Sequence, residues 1–223
     1  MICSEKHNFI FVHIPKTAGS SIQVYLYPYA DFASLMKLQP IEIRKKNLIP
    51  EDELEQKRKY LRRIKHANTK MLQKHGKKYF NKEFKQYFRF GFVRNPWDRV
   101  LSIWNYCLPS STGHRVSIVR RYSLWEDFIL QHNPKSLRGW GTCYSYLHVK
   151  GEQMVDFVGR FEHLYHDMQT VCEQIGVPWR PQDFPHEKKP EDRKQYREYY
   201  TPELRDCIAE KYVDDIETFG YKF

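Results

Sequence analysis

Residues His13–Ser21 read HIPKTAGSS, directly after the apolar run Phe9-Ile10-Phe11-Val12. An amphipathic stretch follows, with Ile22, Tyr25, Leu26 and Tyr29 at the i, i+3, i+4, i+7 spacing of a helix. A buried strand, a turn of small hydroxyl residues with one lysine, and a helix form an arrangement suited to an anion. The start of a helix leaves several backbone N–H groups without intrahelical partners, all aimed at one spot. Thr17, Ala18, Gly19, Ser20 and Ser21 are small enough to let a phosphate approach that backbone, and Lys16 adds a full positive charge. Each charge-assisted hydrogen bond there is worth about 1.5–3 kcal/mol. Ser20 or Ser21 is expected to cap the helix.

The stretch follows phosphate-loop logic without matching G-x-x-x-x-G-K-[ST], which needs a glycine before the lysine and a hydroxyl just after the glycine–lysine pair. Here the glycine comes three residues after Lys16. No apolar strand ends in an aspartate suited to magnesium, and Asp156 is expected inside its strand. No metal is therefore expected.

Asn8–Ile14, Phe88–Arg94 and Val155–Phe161 read as strands, each followed by a helical pattern. Strands alternating with helices predict an α/β fold with a central parallel sheet and flanking helices. The helix after the second strand opens with Asn95-Pro96, a capping residue and a proline at the first helical position. Its apolar stripe is Trp97, Val100, Leu101, Trp104 and Leu108, and its expected polar face carries Asn95, Asp98, Arg99, Ser102 and Tyr106. Ligands of parallel sheets gather at the carboxyl ends of strands. Arg94 at such an end and Ser102 about two turns into the helix could grip one phosphate from two sides. The plainer reading is an arginine paired with a carboxylate such as Asp98, beside a solvated serine.

Further helices are predicted at Glu51–Lys65, at Asn68–His75 before Gly76, after Ser123, and after Glu162 with Gly176 and Pro178 as stops. The last opens at Thr201-Pro202, with Leu204, Ile208, Tyr212 and Ile216 spaced by four. A proline-punctuated loop fills Gly176–Glu191. Trp97, Trp104 and Trp125 are expected in the core, and Trp140, beside two glycines, is a candidate sugar contact.

The chain has 223 residues and a formal net charge of +10. Residues 37–99 hold nineteen Lys/Arg against seven Asp/Glu, a net of +12, and the remainder carries −2. That segment points to an anionic partner: phosphate groups, an acidic polysaccharide or nucleic acid. No apolar run approaches the roughly eighteen residues of a membrane helix. The start, Met1-Ile2-Cys3-Ser4-Glu5-Lys6, lacks a signal-peptide pattern. Cys3, Cys107, Cys143, Cys172 and Cys207 are dispersed and odd in number, which fits reduced thiols in a cytoplasmic protein.

FVHIPKTAGSS, then FGFVRNPWDRVLSIW, and later VDFVGRFEHL resemble the sulfotransferases that use 3'-phosphoadenosine 5'-phosphosulfate, most closely the carbohydrate-type branch of bacterial and Golgi enzymes. The resemblance extends to YREYYTPELRD and DIETFGYKF, so residues 1–223 are expected to form one domain of P-loop-kinase-like architecture, with a helical basic insertion at about 37–85. It implies that Lys16, Thr17, Ala18, Gly19, Ser20 and Ser21 bind the 5'-phosphosulfate end of the donor, and that Arg94 and Ser102 bind its 3'-phosphate. It implies transfer of the sulfuryl group to an acceptor hydroxyl, on a carbohydrate, by in-line displacement. Lys16 would then stabilise charge on the leaving oxygen. His66, in KHANTKMLQK, matches the family's stretch that supplies the base, with His186 as runner-up. The loop PHEKKPEDRKQYREYY resembles the segment that folds over the adenosine, with Lys188, Lys189 and Arg193 near the 3'-phosphate. It departs from the family pattern at Glu187, Lys188 and Pro190, and Gly141-Thr142-Cys143-Tyr144 departs from a Pro-Gln pair. A specific nucleic-acid partner is not expected. Two other readings remain open on the residues: a magnesium-dependent phosphotransferase using ATP, and a non-catalytic basic module that binds polyanions.

Overall fold

The computed structural model describes residues 2–30, 68–75, 83–107, 124–134, 141–185 and 194–223. In chain order the elements are β1 (Ile2–Ser4), β2 (Phe9–Val12), α1 (Gly19–Leu26), α2 (Thr69–His75), β3 (Phe88–Val93), α3 (Pro96–Cys107) and α4 (Trp125–Gln131). They continue with α5 (Cys143–Leu147), β4 (His148–Val149), β5 (Glu152–Gln153), β6 (Phe157–Arg160), α6 (Leu164–Gln174), α7 (Pro202–Lys211) and α8 (Val213–Phe219). The chain divides into two units, Met1–Val93 with Ser145–Glu187, and Arg94–Tyr144 with Lys188–Phe223.

The first unit is built on a sheet of order β1-β2-β3-β6. β2, β3 and β6 are parallel, with Val12 opposite Gly91 and Val93 opposite Arg160. β1 is antiparallel to β2, and the turn between them passes through Asn8 at φ 51. Asparagine tolerates that left-handed conformation better than most residues. β2 and the second half of β3 are buried throughout, which is why they read as unbroken apolar runs. Phe9, Phe11, Phe90 and Phe92 form one layer with Ile22 and Leu26 of α1 and Met168, Val171 and Cys172 of α6. A Cβ on Gly91 would lie 2.8 Å from Leu147 Cδ2, so the bare glycine lets α5 approach β3 closely. The fold is thus mixed α/β, with a central, mostly parallel sheet flanked by helices.

Asp156 corrects one expectation. It stands one residue before β6 and takes Arg89 N, Nε and Nη2 at 2.8, 2.9 and 2.6 Å. Burial pushes its carboxyl up, but the Arg89 hydrogen bonds outweigh this and hold it below the usual carboxylate range. It is a brace at the amino ends of β3 and β6.

The second unit is helical among its described residues. Trp97, Val100 and Ile103 of α3 share a core with Phe128 and Ile129 of α4 and with Leu204, Ile208 and Tyr212. Trp104 and Trp125 pack on the same core, as their sequence reading expected. Thr201 Oγ1 accepts the Leu204 N–H at 3.4 Å, the N-cap that Thr201-Pro202 foretold. The period-four stripe does not continue as one helix, however. The chain turns at Tyr212, and α8 starts afresh. Near Ser123 the helix begins at Trp125, with Leu124 as N-cap and no side-chain cap bond.

Candidate functional site

The stretch after β2 forms the expected strand–turn–helix. Thr17 is fully buried, and its Oγ1 donates to Ile14 O at 3.0 Å, tying the turn to the strand end. Lys16 and Ala18 have positive φ, 69° and 61°. For residues other than glycine this costs about 1–2 kcal/mol each, a kind of backbone strain that gathers at functional positions. Ala18 is the N-cap of α1 and is left-handed, so neither Ser20 nor Ser21 caps the helix. Ser20 is exposed, Lys16 is half-buried, and Ser21 is buried.

No side chain caps α1, and its first turn carries no acidic residue. The N–H groups of Gly19, Ser20 and Ser21 lie ahead of the first intrahelical bond, Ile22 N to Ala18 O at 3.1 Å. With Lys16 just before them, this end of the helix offers backbone donors and a cation to an anionic group. The residues therefore fit a phosphosulfate or phosphate. Gly19 has no positive φ, and what it accommodates is a neighbour. A Cβ there would stand 2.9 Å from His13 Cγ and closer still to two other atoms of that ring.

The start of α3 differs. Asn95 Oδ1 accepts from Trp97 N at 3.1 Å and Asp98 N at 3.4 Å, and its Nδ2 donates to Lys222 O at 3.0 Å. That helix end is satisfied from within the protein. Arg94 follows β3, is 4% exposed, and donates from Nε and Nη2 to Asp98 Oδ2 at 2.8 and 2.7 Å. The pairing that the plainer reading anticipated is thus present. Asp98 and Ser102 follow Arg94 at successive steps of four, so the three fall on one stripe, with Ser102 half-buried.

Arg99 overturns its expected place on the polar face of α3: it is fully buried. It acts on a cluster that sequence reasoning missed. Asp215 of α8 accepts the N–H groups of Cys143 and Tyr144 at 2.9 and 2.7 Å. Burial raises its carboxyl above the ordinary value, and Arg99 and those two hydrogen bonds oppose the rise. Burial pushes the Cys143 thiol up to about 12, against the pull of Arg99, so this cysteine is an inert thiol at neutral pH. His132 Nε2 and the Tyr212 hydroxyl lie 2.7 Å apart. Burial, then Lys211 and Arg99, lower His132 to about 3. Asp215 sits beside Asp214 in a charged run, and no local pattern announces partners some seventy residues away.

His66, His186, Lys188, Lys189, Arg193, Trp140 and the predicted helix 51–65 lie outside the described residues, as does much of 37–85. Among the described residues no group of three or more His, Cys, Asp or Glu side chains could hold a metal ion, and no helix is long and apolar enough to cross a membrane.

Residues 1–222 match the sequence profile of a family described as the sulfotransferase family. The chain belongs to that family, and its activity is sulfuryl transfer to an acceptor hydroxyl. No curated protein and no solved structure matches it.

Proposed function

We propose that the protein transfers a sulfuryl group from 3'-phosphoadenosine 5'-phosphosulfate to a hydroxyl of a carbohydrate. The observation that carries this reading is the turn Lys16–Ser21, where backbone donors and a lysine precede a helix free of acidic residues in its first turn. On this reading the turn binds the 5'-phosphosulfate, and Arg94 and Ser102 bind the 3'-phosphate. The acceptor oxygen forms its bond to sulfur as the bond from sulfur to the bridging phosphate oxygen breaks. The bond's electron pair stays on the leaving phosphate, where Lys16 offsets the growing charge. The acceptor proton passes to His66. No metal takes part. The whole chain acts as one sulfotransferase domain with a basic insertion at about 37–85, and its dispersed cysteines suit the cytoplasm.

The test is calorimetric titration with 3'-phosphoadenosine 5'-phosphate, with and without EDTA. Binding should survive chelation and drop in Arg94→Ala. Magnesium-dependent binding of ATP in its place would establish the phosphotransferase. Binding of polyanions alone, with steep salt dependence, would establish the basic module.

A further inference from the structure

The proposed donor turn holds a glycine at a position that does not need one for its backbone. Gly19 is the first residue of α1, and its φ is not positive. The two positions that are left-handed carry a lysine and an alanine. Conformational freedom therefore does not explain the glycine.

Space does. A Cβ built on Gly19 falls within 3.0 Å of Cγ, Cδ2 and Nε2 of His13, a separation that real Cβ atoms essentially never show. The Cβ direction of Gly19 thus points at the His13 ring. That ring cannot swing aside cheaply. It is 4% exposed and stacks on Phe11, with centroids 5.9 Å apart and planes 16° apart. Phe11 in turn stacks on Phe90 at 5.2 Å in the centre of the sheet. The order is sheet, Phe11, His13, Gly19.

We infer that His13 is a positioning residue for the donor turn: its ring is the floor on which Gly19 rests, and Gly19 is glycine to admit that ring. The contact links the first residue after β2 to the first residue of α1, across a turn that holds the two strained residues Lys16 and Ala18. It transmits the position of the sheet to the N–H groups at the start of α1. The affinity arm of the test below rests on the donor reading proposed above.

The experiment is a double-mutant cycle of Gly19→Ala, His13→Ala and both together. Two quantities are read: the melting temperature, and the affinity for 3'-phosphoadenosine 5'-phosphate at a temperature where every variant is folded. Gly19→Ala should lower the melting temperature and weaken binding by about thirtyfold, since small displacements of binding groups are expensive. His13→Ala should remain folded yet bind several-fold more weakly, which mere packing would not cause. The double variant should melt higher than Gly19→Ala and regain about tenfold in affinity, because the added methyl group then enters the space the ring has left. A double variant that melts no higher and binds no better than Gly19→Ala overturns the inference; the bare Cα would then be needed by the ligand. A His13→Ala protein with wild-type affinity overturns the positioning role. If the wild-type protein fails to bind the bisphosphate, the donor reading falls, and the His13–Gly19 pairing stands or falls on the melting temperatures alone.

Discussion

Arg94 gives its Nε and one Nη to a single carboxylate oxygen, Asp98 Oδ2, at 2.8 and 2.7 Å. The pair spans one helical turn at the start of α3, and Asn95 between them already caps that helix. Asp98 is therefore not needed as a cap, and its carboxylate serves Arg94. A guanidinium is a rigid planar fork, so fixing one edge fixes where the remaining donors point.

Two effects compete when Asp98 is removed. Loss of a negative charge would draw a phosphate closer, while loss of orientation would scatter the fork. Arg94 is buried and Asp98 holds one edge of its guanidinium through two bonds, so loss of orientation outweighs loss of the charge. Asp98→Ala should therefore weaken binding of 3'-phosphoadenosine 5'-phosphate about tenfold, by undoing preorganisation. Adenosine 5'-phosphate, which lacks the 3'-phosphate, should bind Asp98→Ala and wild type equally. Titration of both nucleotides reads the difference, and tighter binding of the bisphosphate would mean that Asp98 competes with the ligand.

Ala18 provides a test of strain in the turn. Its φ of 61° and ψ of 12° suit glycine, yet its methyl group is buried in the core with Ile22 and Phe11. Ala18→Gly relieves about 1–2 kcal/mol of left-handed strain. It gives back about 0.8 kcal/mol of methyl burial and about 0.5–1 kcal/mol of unfolded-chain freedom. Its stability in urea should stay within about 1 kcal/mol of wild type, the balance of those costs. Ala18→Val places a β-branched side chain at positive φ, which such residues essentially avoid. It should lose about 2 kcal/mol or more, as strain at a special backbone position does.

These elements differ in how openly the sequence announced them. β2, β3 and the Lys16 turn are chain-local: both faces of the strands are covered, so Phe9–Val12 and Phe90–Val93 are apolar without interruption. Asn95-Pro96 states its own cap. β1 has only three residues, Ile2-Cys3-Ser4, too few for any period to show. The hairpin β4–β5, turning through Lys150 and Gly151 at positive φ, is shorter still. The Leu204–Ile216 stripe conceals the break at Tyr212, because the spacing of four runs straight through it. Arg99 was misplaced for a deeper reason. A charged residue in phase with Asn95 and Ser102 belongs on a polar face unless a distant carboxylate receives its charge. Asp215 is that carboxylate, and no spacing reveals it.

His132 should make the protein less stable in mild acid. It packs between Phe128, 5.0 Å away, and Tyr212, stacked at 5.9 Å and 8°. Lys211 and Arg99 add to the burial that lowers it from 6.5 to about 3. In the native protein it is neutral, and its Nε2 is hydrogen-bonded to the Tyr212 hydroxyl. The unfolded chain protonates it near pH 6.5 and the native one does not. Between those two values the unfolded state binds more protons, so stability falls as pH falls. At pH 5 the loss from this group should reach about 2 kcal/mol, one and a half pH units below the unfolded value. His132→Gln cannot titrate, and its amide has both a donor and an acceptor for the Tyr212 hydroxyl. Asp215, whose raised carboxyl responds to pH in the opposite sense, is present in both proteins and drops out of the comparison. Urea unfolding of wild type and His132→Gln at pH 7, 6 and 5 should give curves that converge as the pH falls. Parallel curves would mean that His132 is charged in the native state.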